Sequence, residues 1–338
     1  MRFLIIQTAF PGDVILATSV AEKLHQYFPD ASIDFLLRKG NENILENNPT
    51  ISEVITWDKS HHKFSGLLKI ISVIRKKKYN TVINPHRFAS SGLITALSGA
   101  PDKIGFNKNP FSFFFSKKFN HEIGNGKHEI ERNHELIRHL TDDVPAKPKL
   151  YPAENDFANI RKILHHQLHS EIRNAYICVA PASVWFTKQF PMEKWIELIN
   201  QLPASFFVYL IGSKTDVALC ESIQSQVSPG RAQLTRNLAG HFTFLESAAL
   251  MKGAMMNFVN DSAPLHIASA VNAPVTAIFC STIPGFGFGP LSDQATIIET
   301  KLKLDCRPCG LHGYKVCPLG HFNCAWSIEV NELLGSLQ

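Results

Sequence analysis

Short apolar runs rich in β-branched residues alternate with longer segments of helical period, and this alternation restricts the possible folds more than any other feature. Residues 3–8 predict a strand, residues 14–27 a helix, and residues 33–37 the next strand. A strand, a helix and a second strand in this order form a βαβ unit, in which the two strands lie parallel in one sheet. The alternation therefore predicts an α/β fold made of doubly wound, Rossmann-like domains.

The alternation occurs twice, and a proline-rich stretch separates the two parts. Residues 142–152 contain three prolines and predict an extended connection. Strand and helix patterns resume at residues 176–180 and 192–200. The chain has 338 residues, 45% of them hydrophobic, which is enough for two packed cores. We therefore predict two domains, residues 1–150 and residues 151–338.

Basic residues are concentrated in the first half of the chain. Residues 1–150 contain 21 Lys and Arg against 15 Asp and Glu, whereas the remaining residues contain 13 against 14. This asymmetry favours an anionic partner for the first half, with a solvated basic surface as the alternative. No apolar run is long enough to span a membrane, and the N-terminal residues lack the pattern of a signal peptide. We expect a cytoplasmic protein whose cysteines are reduced.

Asp13 is the first candidate for chemistry, because it follows the first predicted strand and stands where the next helix begins. In doubly wound folds, ligands bind outside the carboxyl ends of the strands. One interpretation makes Asp13 an N-cap whose carboxylate accepts backbone N–H groups. The other makes it a carboxylate at a ligand site, available as a general base.

Two later loops carry residues suited to a phosphate. Thr187 and Lys188 follow the strand predicted at residues 176–180, and Lys188 is either a phosphate ligand or a solvated surface lysine. The stretch at residues 260–266, Asn-Asp-Ser-Ala-Pro-Leu-His, marks a helix N-terminus directly after a strand. Such a terminus presents free N–H groups and a positive dipole end to an anion. The alternative is that its polar residues only cap the helix and that its histidine is partly buried.

Four cysteines near the C-terminus have a spacing that resembles a structural zinc knuckle: Cys306, Cys309, Cys317 and Cys324. Four thiolates would form a closed tetrahedral site with no open position for a substrate. Only the first pair has the Cys-x-x-Cys spacing, so packed reduced thiols, a redox pair and an iron–sulfur site stay open as alternatives.

The absence of characteristic motifs argues against several classes of protein. No Gly-x-Gly-x-x-Gly follows the first strand, and no Gly-x4-Gly-Lys-Ser/Thr occurs, which argues against dinucleotide oxidoreductases and P-loop enzymes. No known nucleic-acid-binding module occurs either, so a zinc-dependent nucleic-acid binder is disfavoured and no nucleic-acid partner is expected.

Taken together, the loops resemble glycosyltransferase family nine, the ADP-heptose:lipopolysaccharide heptosyltransferases. The matching stretches occur in the family's order: FPGDVILATSV, WFTKQFPMEKW, NDSAPLHIASAVNAPVTAIFCSTIP, and FGPLS at residues 288–292. This resemblance implies a GT-B architecture, in which two Rossmann-like domains face a central cleft. The N-terminal domain would bind the acceptor, and the C-terminal domain the nucleotide sugar.

The resemblance also implies an activity and a set of site residues. The activity is inverting transfer of a heptose or related sugar, from a nucleotide diphosphate sugar such as ADP-heptose to an anionic glycolipid of the lipopolysaccharide inner core. The implied reaction would need no cofactor. The resemblance also implies a protein that associates peripherally with the inner face of the inner membrane. Asp13 would be the general base. The implied donor-binding residues are Thr187, Lys188, Asp261, Ser262, Ala263 and His266.

Two departures from the family's pattern bear on the donor. Ala263 stands where family members usually have glycine, and its methyl group is expected to crowd a phosphate. Gly212 is not followed by the acidic residue that is common there, and Asp216 is the candidate to replace it. The alternatives that follow are the same fold with a different sugar or acceptor, and a nucleotide-binding protein without transfer activity.

Overall fold

The computed structural model describes residues 1–59, 63–168 and 175–337. The chain divides into two compact units, Met1–Tyr151 and Pro152–Gln338. The division falls within the proline-rich stretch at residues 142–152, where the sequence predicts an extended connection.

The first unit is a parallel sheet with helices between its strands. Its strands are β1 (Arg2–Ile6), β2 (Ser32–Arg38), β3 (Glu53–Trp57), β4 (Thr81–Asn84), β5 (Asp102–Phe106) and β6 (Lys117–Phe119). Its helices are α1 (Pro11–Tyr27), α2 (Lys63–Lys77), α3 (Ala89–Leu97) and α4 (Glu129–Glu135). The sheet has the order β3-β2-β1-β4-β5-β6, and every pairing is parallel.

The second unit repeats this architecture. Its strands are β7 (Tyr176–Ala180), β8 (Phe207–Leu210), β9 (Thr235–Asn237), β10 (Met256–Asn260), β11 (Val275–Phe279) and β12 (Ala295–Glu299). Its helices are α5 (Glu154–Leu168), α6 (Met192–Gln201), α7 (Val217–Gln226), α8 (Pro229–Ala232), α9 (Phe244–Gly253), α10 (Ala263–Ala270), α11 (Asn323–Trp326) and α12 (Val330–Gly335). The strands are parallel in the order β12-β11-β10-β7-β8-β9.

In both sheets the first strand of the unit lies beside the fourth. Leu4 of β1 is opposite Val82 of β4, and Ala180 of β7 is opposite Val259 of β10. The chain moves across the sheet in one direction from the first strand and in the other direction from the fourth. The connections after these two strands therefore diverge and leave a crevice at their carboxyl ends, where doubly wound proteins bind ligands. The Rossmann-like α/β fold predicted from the alternation is confirmed.

The start of α1 differs from the prediction. The helix begins at Pro11 and not at residue 14, because the fixed φ of proline suits the first helical position. Phe10 is the N-cap residue and makes no side-chain cap bond. Asp13 therefore lies inside the first turn, and the interpretation that it occupies the N-cap position is wrong.

The core of the second unit is built from residues on both faces of its sheet. Trp195 of α6 is fully buried and meets the ring of Phe190 edge-on, with 5.2 Å between ring centroids. A capping box starts α9, since Glu246 N–H donates to Thr243 Oγ1 at 3.2 Å and Thr243 N–H donates to Glu246 Oε2 at 2.8 Å. Among the described residues, no helix combines the length and the apolarity needed to cross a membrane.

Candidate functional site

Asp13 lies at the carboxyl end of β1, in the crevice of the first sheet. Its side chain is partly exposed but largely surrounded by protein. Burial and, to a smaller extent, the negative charge of Glu129 raise the pKa of Asp13 to about 6. The backbone N–H of Phe10 and the guanidinium of Arg87 act in the opposite direction. At neutral pH this carboxyl is mostly ionised and is a stronger base than an ordinary aspartate.

Glu129, the first residue of α4, is the buried carboxylate that acts on Asp13. It accepts a hydrogen bond from Arg132 Nε at 2.7 Å and is paired with His121 Nε2 at 3.1 Å. Burial alone would raise the pKa of Glu129, but the bonds and charges of His121 and Arg132 outweigh burial and lower it. Glu129 therefore keeps its negative charge, and α4 packs this charge against α1.

A neutral histidine lies at the carboxyl end of β4, the neighbour of β1. His86 Nδ1 is 3.1 Å from Thr8 Oγ1, and Lys59 Nζ donates to both the hydroxyl and the carbonyl oxygen of Thr8 at 2.9 Å. Burial lowers the pKa of His86 to about 3, with the positive charges of Lys59 and Arg87 adding to the effect. This edge of the first unit therefore brings two cations, Lys59 and Arg87, to the crevice that holds Asp13.

In the second unit, Lys188 and Asp261 meet at the corresponding crevice. Lys188 follows β7 and Asp261 follows β10, and Lys188 Nζ lies 2.7 Å from Asp261 Oδ2. The same carboxylate oxygen accepts a hydrogen bond from Thr282 Oγ1 at 2.7 Å. The side chain of Lys188 is 15% exposed. Lys188 is therefore a held and largely buried cation, and the interpretation that it is a solvated surface lysine is wrong.

The N-terminus of α10 adjoins this pair. Ser262 is the N-cap residue, but its side chain makes no cap hydrogen bond, and Ala263 begins the helix. His266 is buried one turn later, and its ring meets Phe288 edge-on at 6.5 Å between centroids. The interpretation that Ser262 only caps the helix is not supported. Phosphate binding at this terminus stays a prediction.

Thr187 has a structural partner that the sequence did not predict. Its buried hydroxyl accepts hydrogen bonds from Tyr314 N–H at 2.7 Å and from Ser281 Oγ at 3.0 Å. Gly313 fits closely against the same loop, with φ +74° and no room for a side chain. Thr187 thus fastens the C-terminal segment to the loop that carries Lys188. Its predicted bond to a diphosphate is a separate matter and stays a prediction.

The resemblance implies that the loop carrying Lys188 binds ADP, and replacing Gly313 by Ala is expected to weaken that binding by about tenfold, equivalent to ~1.4 kcal/mol. The added Cβ would lie 2.8 Å from Thr187 Oγ1 and 3.1 Å from Lys188 Cγ, so the loop that carries Lys188 must shift. Calorimetric titration with ADP measures the effect.

The matched control is Gly320→Ala, because Gly320 has nearly the same φ, +73°, but nothing within 4 Å of the added Cβ. Both variants carry the same backbone strain, roughly 1–2 kcal/mol. If both weaken ADP binding equally, strain in the segment and not contact with Thr187 is responsible.

The structure does not support the zinc site predicted at Cys306, Cys309, Cys317 and Cys324. In residues 1–59, 63–168 and 175–337, no group of three or more His, Cys, Asp or Glu side chains is placed to hold a metal ion. Cys309 Sγ donates to the carbonyl oxygen of Cys306 at 3.2 Å, and burial raises the pKa of Cys324 to about 12. All four cysteines are free in this structure, and burial favours the protonated form of Cys309 and Cys324.

The cysteine-bearing segment is nevertheless closely attached to the carboxyl end of β11 in the second sheet. Arg307 donates to the carbonyl oxygens of Cys280 at 2.7 Å and Thr282 at 2.8 Å, at the end of β11. Asp216, the proposed substitute for an acidic residue after Gly212, uses its carboxylate to accept bonds from Ser213. Asp216 is therefore the partner of Ser213 in a capping box at the start of the short 3-10 helix Lys214–Asp216.

Sequence reasoning missed Thr282, Glu129 and Gly313. Thr282 lies just after β11, so the rule that located Asp13 and Lys188 at strand ends could also have located it. No local signal links Glu129 to Asp13 or Gly313 to Thr187, because each of these pairs is widely separated in the sequence.

The fold and the two crevices define an α/β protein of two Rossmann-like units, the composition of the GT-B glycosyltransferases. The chain belongs to glycosyltransferase family 9 (heptosyltransferase), whose family model matches residues 67–314. It is a glycosyltransferase.

Named relatives and solved structures agree with this family. Lipopolysaccharide heptosyltransferase 3 of Escherichia coli is 29% identical over 286 residues, which cover 81% of this chain and 82% of the relative. The structure of E. coli ADP-heptose lps heptosyltransferase II aligns with a TM-score of 0.78 and 22% identity, over 100% of this chain and 98% of the other. A glycosyl transferase family 9 structure from Veillonella parvula has a TM-score of 0.84, 20% identity, and coverage of 99% and 95%. The structural likenesses support the fold.

Proposed function

We propose that this protein transfers a heptose from ADP-heptose to an anionic glycolipid of the lipopolysaccharide inner core, with inversion at the anomeric carbon. The observation that carries the proposal is Asp13, a carboxylate in the crevice of the first sheet whose pKa is raised to about 6. The family membership supports the sugar, as does the E. coli relative named lipopolysaccharide heptosyltransferase 3.

In the proposed reaction, Asp13 removes the proton from the acceptor hydroxyl. The hydroxyl oxygen then forms a bond to the anomeric carbon of the donor, on the face opposite the diphosphate. The bond between that carbon and the diphosphate oxygen breaks, and its electron pair leaves with ADP. One proton moves to Asp13 and one negative charge develops on the leaving group, so the step needs neither a cofactor nor a metal.

The proposed donor site is the crevice of the second sheet. Lys188 is held there as a largely buried cation, and α10 begins beside it without a side-chain cap. A cation and a helix N-terminus both stabilise negative charge on a departing diphosphate. Asp261 has the same charge as the diphosphate, so we assign it the role of holding Lys188 in place.

The proposed acceptor side is the first unit. Lys59 and Arg87 lie at the crevice that holds Asp13, and their charges suit an anionic acceptor. An acceptor anchored in a bilayer would require peripheral contact between this unit and the inner face of the inner membrane.

The direct test is a transfer assay with purified protein, lipopolysaccharide core lacking heptose, and a panel of ADP, UDP and GDP sugars. We expect product only with ADP-heptose, and NMR of the product should report an inverted anomeric configuration. Transfer from a UDP or GDP sugar would keep the fold and replace the proposed donor. Binding of ADP without transfer to any acceptor would favour a nucleotide-binding protein.

The proposed base also predicts a pH dependence. The value of kcat/KM should fall as the pH drops through about 6, because protonated Asp13 cannot accept the acceptor proton. Replacing Glu129 by Gln removes a negative charge that raises the pKa of Asp13, so this acid limb should move to lower pH. Replacing Arg87 by Gln removes a charge that lowers this pKa, so the limb should move to higher pH.

The two variants are expected to shift the acid limb in opposite directions. Damage to the fold would not produce opposite shifts, so the comparison identifies an electrostatic effect. Glu129 is paired with buried Arg132, so thermal unfolding of Glu129→Gln must be measured beside its kinetics. An acid limb at the same pH in the wild type and both variants would remove Asp13 as the titrating group.

A further inference from the structure

The segment from Lys103 to His121 has an unusual composition for a protein surface. It contains six phenylalanines and four lysines, and no aspartate or glutamate. Two adjacent rings of this segment face solvent, since Phe113 is 67% exposed and Phe114 is 53% exposed. Exposed aromatic rings next to one another mark an interaction surface.

The backbone of this segment is held in place while the two rings stay outside. Phe115 is buried, and its ring lies so close to Gly105 of β5 that a Cβ at Gly105 would be 2.6 Å from it. Phe114 N–H donates to Phe111 O at 3.1 Å, which closes a tight turn. The ring centroids of Phe113 and Phe114 lie 4.1 Å apart. The protruding rings are therefore a built feature of the fold, anchored by Phe115.

The same segment is tied to the crevice of the first sheet. Buried Asn109 donates from Nδ2 to the carbonyl oxygens of His86 and Phe88, both at 3.1 Å. Phe88 is itself 65% exposed. β1, β4 and β5 are parallel neighbours, so the loops that follow them emerge at one edge of the sheet. The exposed rings thus share an edge with Asp13.

Exposed lysines flank the rings on both sides of the tight turn. We define the aromatic surface as Phe88, Phe113 and Phe114 together with Lys108, Lys117 and Lys118, all of them exposed.

We propose that the aromatic surface docks the protein on an anionic phospholipid bilayer, with the rings in the interface and the lysines at the headgroups. Aromatic rings concentrate at membrane interfaces, and lysines are attracted to anionic leaflets. The surface is poorly suited to bind a second copy of the chain. In a symmetric dimer the lysines of one copy would face those of the other, and this segment has no carboxylate to pair with them. The inference rests on the proposed glycolipid acceptor, since docking here brings the edge that carries Asp13 to the bilayer.

The test is sedimentation of the 338-residue chain with vesicles of phosphatidylethanolamine and phosphatidylglycerol. We expect wild-type protein to bind these vesicles and to bind phosphatidylcholine vesicles weakly. The double variants F113S/F114S and K117E/K118E should each lower the partition coefficient by about tenfold or more. The effect of the lysine variant should shrink as salt is raised, because the attraction is screened.

Two matched controls come from the second unit. Met255→Ser removes an exposed apolar side chain just before β10, and Lys252→Glu reverses the charge of an exposed lysine near the end of α9. Both should bind vesicles as the wild type does. Wild-type protein that fails to bind anionic vesicles would overturn the proposal, and so would F113S/F114S binding as tightly as the controls.

Turnover on a water-soluble, delipidated acceptor separates this inference from the proposed function. F113S/F114S should keep that turnover while losing vesicle binding. Loss of turnover on the soluble acceptor at an unchanged melting temperature would make the aromatic surface part of the acceptor site and overturn docking. Vesicle binding by a wild type that transfers no sugar would support docking and contradict the proposed activity.

Discussion

Replacing Asp13 by Asn is expected to lower turnover by roughly 10²- to 10⁴-fold, the range measured for general bases. The amide has nearly the same size as the carboxylate at the first turn of α1, but it cannot take the acceptor proton. Affinity for ADP should not change, because the proposed donor-binding residues all belong to the second unit. Steady-state kinetics and calorimetric titration with ADP measure the two quantities.

Glu22→Gln is the matched control for this variant. Glu22 lies on the same helix, is 5% exposed, and also has a pKa raised by burial. Its carboxylate accepts a hydrogen bond from Tyr151 Oη at 2.9 Å and lies outside the proposed reaction. Near wild-type turnover of Asp13→Asn would remove the base assignment. Equal losses in both variants would point to the integrity of α1.

Replacing Lys188 by Ala is expected to lower turnover by roughly 10²- to 10³-fold, the cost of losing one preorganised group that stabilises developing charge. Turnover should fall by more than ADP affinity does, because the charge on the diphosphate grows as the sugar leaves. Lys188→Arg keeps the positive charge and should restore part of the turnover. Single-turnover kinetics with ADP-heptose separate binding from transfer.

The Lys188→Ala variant needs two controls, one for stability and one for the loss of a lysine of similar exposure. Truncating Lys188 leaves Asp261, 8% exposed, without its cation, so the melting temperature must be compared with that of the wild type. Lys194→Ala is matched in exposure, since the Lys194 side chain is also 15% exposed and pairs with Glu197 at 3.7 Å on α6. Equal kinetic effects of Lys188→Ala and Lys194→Ala would contradict the proposed role of Lys188.

The C-terminal segment deserves a different interpretation from the one its cysteines suggest. Tyr314 N–H reaches Thr187 and Arg307 reaches the end of β11, so the segment supports the loop that carries Lys188. The cysteine spacing favoured a metal staple, but the described side chains are not placed to hold one. Hydrogen bonds to backbone carbonyls and the close fit of Gly313 attach the segment instead.

The sequence by itself determined the two parallel sheets and the position of Asp13, Lys188 and Asp261 at strand ends. These features are local, because hydrophobic period distinguishes strand from helix and the βαβ order sends each strand's carboxyl end to the same edge. Short elements escaped this reasoning. β5 contains Gly105, which weakens a strand pattern, and that glycine is needed where the ring of Phe115 packs.

Only the tertiary structure decided which side chains meet. Glu129 acts on Asp13 because α4 packs on α1, and Thr282 bonds Asp261 because β11 lies beside β10. Tyr314 reaches Thr187 across 127 residues of chain. Such contacts depend on how separate elements pack and on the rotamers that packing allows. Hydrophobic period and residue spacing carry neither kind of information, so the charges around the proposed base and the supports of Lys188 become visible only in the folded chain.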